Sequence, residues 1–196
     1  ALKIKKMKKI ILPTDFSENA YNAIKFAVQL FKDVETTFYL LHTYTPSVIQ
    51  VEYLLQSPNQ VSLGDSYKLK AMEQLEALKK RLQEEFNNAK HSFVTWANFN
   101  TLADDIRIIT KNEKADLVIM GTQGATNTME ILFGTNTTQV ISKTICPIIA
   151  VPSKFDYEAP KAILFPTDYE IDYKRNSCNS FWTFQKTMVQ TLMWYI

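Results

Sequence analysis

Two rhythms of apolar and polar positions run along this chain. Short runs of apolar and β-branched residues recur, and between them apolar side chains return every three or four positions among Lys, Glu and Asn. Residues 9–14 form the first run, which leads into Pro-Thr-Asp at 13–15; behind Ser17, a helix N-cap, Tyr21, Ile24, Val28 and Phe31 share one helical face. Residues 37–43 predict a second strand, and 66–86 a long helix with Leu69, Met72, Leu75, Leu78, Leu82 and Phe86 on its inner stripe. A third strand is predicted over 92–99, a capping box at 101–104 for a helix carrying Ile106, Ile109 and a further candidate, Ile108, and a fourth strand over 115–120. A last helix from about Thr135 leads to a strand over 147–151. Strands alternating with helices, two of them apolar nearly throughout, predict an α/β fold: a parallel sheet covered on both faces, with right-handed crossovers.

The pattern starts again near residue 160. Residues 161–169, Lys-Ala-Ile-Leu-Phe-Pro-Thr-Asp-Tyr, repeat residues 8–16, Lys-Lys-Ile-Ile-Leu-Pro-Thr-Asp-Phe, at an offset of 153, with five of nine positions identical. This divides the chain into a domain over 1–153, a linker over 154–160, and an incomplete second repeat with an atypical tail over 161–196. Only 36 residues remain from Lys161, too few for a core of their own. In the tail, Phe181, Phe184, Met188, Leu192 and Tyr195 are spaced like one helix face, and the tail is expected to lean on another surface.

Composition narrows the chemistry. Of the 22 Lys and Arg, five crowd positions 3–9; the remaining 17 face 20 acidic residues, so no basic nucleic-acid footprint runs through the body. No apolar run approaches the roughly 20 residues that span a bilayer, and the Lys-rich start lacks the apolar stretch of a secretory signal. A cytoplasmic location is the expectation. Cys146 and Cys178, with His42 and His91, give neither a disulfide framework nor a metal-ligand spacing.

Three of only four glycines, Gly121, Gly124 and Gly134, lie between the fourth strand and the last helix. So placed, they imply either positive φ or close approach of the backbone to something. One reading is an anion cradle: a helix N-terminus offers unpaired N–H groups and about half a positive charge, and glycine keeps a Cβ out of the way. Thr135, Asn136 and Thr137 would add side-chain donors. The other reading is a turn and a tight helix–strand contact; spacing alone does not separate the two.

Gly-x-x-Gly, nine residues, then Gly-Thr resembles the ATP-binding signature of the universal stress protein family. The Leu-Pro-Thr-Asp-Phe-Ser run at 12–17 is similar to that family's first strand and turn, Leu-Leu-His at 40–42 to its second strand, and 115–120 to its fourth; the likeness covers residues 8–152. The repeat at 161 resembles the start of a second such domain. The resemblance implies an open five-stranded parallel sheet of order 3-2-1-4-5 with helices on both faces, Rossmann-like and of the adenine nucleotide alpha hydrolase type, and a nucleotide across strands one and four. It places Asp15 at the ribose or adenine, the Thr43 backbone at the adenine, Pro13 and Thr14 on the floor beside Met120, and Gly121, Gly124, Gly134 and Thr135 at the phosphates, with Asn136 and Thr137 close behind. It implies ATP, ADP or AMP as ligand, with Mg2+ as an aid, because Ala125 follows the second glycine where relatives often carry a basic residue. It also implies a homodimer through the strand between Pro147 and Pro152, joined here by the second-repeat segment.

Neither His42, in an apolar strand, nor His91, which reads as an exposed loop residue, is a good candidate base. Asp104 and Asp105 form a carboxylate pair whose first member serves the capping box. No nucleophile stands beside a base, and the chain lacks both Gly-x-x-x-x-Gly-Lys-Ser/Thr and a Ser-Gly-Gly loop after strand one. No catalytic and no metal-ligating residue is assigned. A nucleotide-binding stress or signalling module is the expectation, with a slow ATP hydrolase and a nucleotide-free structural dimer as alternatives.

Overall fold

A computed structural model describes residues 9–44, 60–122, 134–153, 155–166 and 191–195. Its elements in chain order are β1 (Lys9–Pro13), α1 (Glu18–Leu30), β2 (Thr36–Thr43), α2 (Gln60–Phe86), β3 (His91–Asn98), α3 (Leu102–Glu113), β4 (Leu117–Gly121), α4 (Thr135–Lys143), β5 (Ile148–Val151), β6 (Ala162–Pro166) and β7 (Thr191–Tyr195). Five parallel strands form one sheet in the order β3-β2-β1-β4-β5.

Strand alternation distributes the core. Ile10 and Leu12, Phe38 and Leu40, and Leu117 and Ile119 point to one face, where Ile24, Val28 and Phe31 from α1 and its end meet Leu75 and Leu82 of α2. Ile11, Tyr39, Leu41, Val118 and Met120 point to the other, against Ile106 and Ile109 of α3 and Val140 of α4. Because both faces are dry, the central strands carry no polar face. Burying each Leu or Ile contributes about 1.5–3 kcal/mol. Leu69 departs from its expected stripe, being 64% exposed, and Ile108 faces outward while its helix neighbours are buried.

Helix ends follow local chemistry. Ser17 Oγ accepts the Ala20 N–H at 3.2 Å to start α1. Thr101 Oγ1 accepts the Asp104 N–H at 3.3 Å to start α3, while the Thr101 N–H donates to Asn100 Oδ1 rather than to Asp104, so only half of the capping box forms. His91 is not a loop residue: it opens β3, is half-buried, and its Nε2 lies 3.0 Å from the Phe31 carbonyl.

The stretch expected to be a linker packs on α1. Phe155 and Tyr157 set their rings edge-on to Phe26, with centroids 5.9 and 5.6 Å away, and Asn22 Nδ2 donates to the Phe155 carbonyl at 2.9 Å. Beyond it, β6 pairs in parallel with β7, Ala162 opposite Thr191 through Pro166 opposite Tyr195. The helix read from the tail's spacing therefore does not hold over 191–195, where the Thr-Leu-Met-Trp-Tyr run is extended; Phe181, Phe184 and Met188 lie outside the described residues. Among the described residues, no helix is long and apolar enough to cross a membrane.

Candidate functional site

The strand order reverses at β1, which has β2 on one side and β4 on the other. At such a reversal the loops leaving the carboxyl ends part in opposite directions and open a crevice. An open cleft lies there, lined by Pro13, Thr14, Asp15, Ala20, Thr43, Leu102, Met120, Gly121, Asn136 and Thr137. The cleft thus brings together Pro13, Thr14, Asp15, Thr43, Met120, Gly121, Asn136 and Thr137 of the residues singled out from sequence. Thr135 and Gly134 sit at the start of α4 beside them, and Gly124 lies outside the described residues. Ala20 and Leu102 were not foreseen. Their signal was position: each lies in the first turn of a helix that follows a strand of the sheet.

Three helix N-termini face this cleft, and they differ electrically. The first turns of α1 and α3 have side-chain caps, Ser17 and Thr101, and carry acids, Glu18 in one and Asp104 and Asp105 in the other. Helix α4 begins at Gly134 with no side-chain cap and no acid in its first turn. Among the described residues no cap or first-turn acid offsets its partial positive charge, and its first-turn amides, those of Thr135, Asn136 and Thr137, have no intrahelical acceptor.

The Gly134 amide is different. Its N–H donates to the Thr122 carbonyl at 2.7 Å, so the bare amide expected at Gly134 is replaced by amides one to three residues further on. The Thr137 hydroxyl, expected as a ligand donor, is buried and donates to the carbonyl of Gly121 at 3.1 Å. Gly134 has φ −64°, and no described glycine has positive φ. Positive φ is therefore not the reason for glycine at Gly121 or Gly134, and Thr137 ties α4 to the end of β4 through the Gly121 carbonyl. The helix–strand contact and an open helix terminus coexist at this corner.

The opposite wall is the turn from β1 to α1. The Thr14 N–H donates to the Leu41 carbonyl at 2.8 Å, the Phe16 N–H to Thr14 Oγ1 at 3.0 Å, and the Ser17 N–H to Asp15 Oδ1 at 3.0 Å. Asp15 is exposed at the mouth of the cleft. Asp105, read from sequence only as half of an acidic pair, is fully buried, and its Oδ1 accepts from Asn98 and Asn100 Nδ2, each at 2.8 Å. It ties down the loop leading into α3 and is out of reach of solvent. The cleft's described side chains include one acid, Asp15, and no base. Residues 121–142 contain no Lys or Arg. Cys146 is buried on the sheet's second face, where desolvation pushes its thiol up and leaves it unreactive. Among the described residues, no group of three or more His, Cys, Asp or Glu could hold a metal ion.

Comparison with known proteins agrees with this architecture. The universal stress protein family model matches residues 6–152. Universal stress protein MJ0531 of Methanocaldococcus jannaschii is 31% identical over 146 residues, covering 74% of this chain and 81% of that protein. Universal stress protein MJ0577 of the same organism is 32% identical over 160 residues, covering 75% and 96%; its solved structure superposes with a TM-score of 0.60 at 28% identity, covering 78% of this chain and all of that one. A universal stress protein solved in complex with cAMP shares the fold, with a TM-score of 0.51 at 15% identity over 76% of this chain and 98% of that one. With its sheet order, its crevice and three-quarters of its length accounted for in this way, the chain belongs to the universal stress protein family.

Proposed function

We propose that this chain binds an adenine nucleotide in the β1/β4 cleft and works as a nucleotide-responsive stress or signalling module in the cytoplasm, not as an enzyme of fast turnover. The observation that carries the reading is α4: its N-terminus opens on the cleft without a cap or acid of its own, as an anion subsite requires. Asp15, across the cleft, would take the ribose hydroxyls or adenine; Pro13, Thr14, Thr43 and Met120 would line the base; the amides of Thr135, Asn136 and Thr137, together with Gly121 and Gly124, would meet phosphate. Gly134 would shape this corner. The cAMP complex of a distant protein of this fold is in keeping with that ligand class.

Charge sets the preference among nucleotides. A triphosphate must be desolvated, and helix-terminus effects of roughly 0.3–2 kcal/mol offset little of that cost without a cation. The chain supplies no Lys or Arg over 121–142, so AMP and ADP should compete well with ATP, and Mg2+ should favour ATP. Calorimetric titration with AMP, ADP and ATP, with and without Mg2+, tests this; ATP binding far tighter than AMP in the absence of Mg2+ overturns it. Among the described residues the cleft brings no nucleophile to a base, and steady turnover at or above roughly 1 per second would favour a hydrolase instead. The same reading makes residues 161–196 the opening of a second repeat and joins two chains into a homodimer through β5 and that segment.

A further inference from the structure

The turn that carries Asp15 holds an aromatic residue in an unfavourable conformation. Phe16 has φ 63°, in the left-handed region that bulky side chains avoid. Such a conformation persists only where its surroundings over-determine it. Two hydrogen bonds within the turn contribute, from Phe16 N–H to Thr14 Oγ1 and from Ser17 N–H to Asp15 Oδ1. Phe16 also packs against the core of the first sheet face, and His42, one residue before the cleft-lining Thr43, braces the turn from the other strand. Its Nδ1 lies 2.8 Å from the Thr14 carbonyl oxygen, and its ring meets the Phe16 ring with centroids 4.6 Å apart. Tyr44 stacks on the same imidazole at 6.5 Å.

A carbonyl oxygen only accepts, so the hydrogen bond requires the proton on Nδ1. The donor then fixes the plane of the Thr14–Asp15 peptide, because rotating that peptide would leave the carbonyl of a buried residue, Thr14 at 7% exposure, without its partner. Pro13, Thr14 and Asp15 all line the cleft, whereas His42 does not. We infer that His42 is a positioning residue for nucleotide binding: its Nδ1–H, on the Thr14 carbonyl, holds the left-handed turn at Phe16 and so aims Asp15 across the cleft. The inference rests on the nucleotide reading above and adds a residue that acts through the turn and not on the ligand.

The test compares wild type, His42→Ala and His42→Asn. The Asn side-chain amide nitrogen reaches about where Nδ1 does and keeps the donor without the ring. Losing one hydrogen bond of about 1 kcal/mol corresponds to roughly fivefold weaker AMP binding by calorimetry in His42→Ala, and His42→Asn should recover to within about twofold. Unchanged AMP affinity in His42→Ala, or His42→Asn as weak as His42→Ala, overturns the inference. If wild type binds no adenine nucleotide, the functional reading fails, and the brace is decided by amide hydrogen exchange alone. His42→Ala should expose the Phe16 and Ser17 amides to roughly fivefold faster exchange on the same hydrogen-bond arithmetic, with His42→Asn protected. Exchange equal to wild type in His42→Ala overturns the inference in either case.

Discussion

At the scale of single residues, Thr137 shows how one hydroxyl can decide where a helix sits. It is 2% exposed and donates to the Gly121 carbonyl, so Thr137→Val keeps the shape and removes only the hydrogen bond. The half-buried Gly121 carbonyl then loses that donor, and Thr137→Val should lose about 0.5–1.5 kcal/mol in urea unfolding, with Thr137→Ser recovering most of it. Two tyrosines give a second residue-scale prediction. Burial, then the hydrogen bond to Glu85, pushes Tyr21 up to about 12, and burial with the bond to Glu113 does the same for Tyr39. Folding keeps both phenols protonated where the unfolded chain has begun to ionise. Their contribution is full below about pH 10 and is lost as pH rises through about 12. Unfolding midpoints measured from pH 9 to 12 should fall less steeply in Tyr21→Phe and Tyr39→Phe than in wild type. At this scale the sequence was legible where a residue's partner lies nearby in the chain, as for the Ser17 cap. It was not legible for Gly134 or His91, whose partners, Thr122 and Phe31, are 12 and 60 residues away and depend on the packed sheet.

Elements were easier to read than their neighbours. The five strands and four helices of the main sheet follow from apolar runs and helical spacing because both faces of the sheet are buried, which leaves a strong periodic signal. Their order was not available from periodicity and came through the family resemblance. The start of α2 was missed because residues 60–65 contain Gly64 and the cap-type residues Ser62 and Asp65, which suit a helix start and not an interior, so the pattern became readable only at Ser66. In β7 the competing signal won: apolar residues three and four apart suit a helix, yet five consecutive apolar or β-branched residues equally suit a strand, and pairing with β6 selects the strand. The stretch at 155–160 was read as a linker because it lacks periodicity, and its order comes from Phe26 and Asn22 on α1. Phe26→Ala removes both edge-on contacts. Limited chymotrypsin digestion should then cut after Phe155 and Tyr157 well before wild type is cut there, while cleavage within the sheet stays slow.

For the whole molecule, the question is which open edge a second copy would use. β5 is an edge strand of four residues, confined between Pro147 and Pro152, with Ile148, Ile149 and Ala150 only half-covered within one chain. β6 offers another edge. It occupies the same positions as β1 at the offset of 153, but β1 has a strand on each side and, among the described residues, β6 is paired with β7 alone. A two-stranded parallel pair is marginal without further cover, so this edge is a second candidate for the proposed assembly. Light scattering of the chain should give the mass of a dimer, and a monomer mass would contradict the proposed assembly. Two variants then separate the edges. Ala150→Lys places a charge on β5 and blocks strand addition there, and a chain ending at Pro160 removes β6 and β7 while keeping the contacts of Phe155 and Tyr157 on α1. Dimer lost in Ala150→Lys alone assigns the interface to β5; dimer lost only in the shortened chain assigns it to the second repeat; loss in both means that the two edges form one surface.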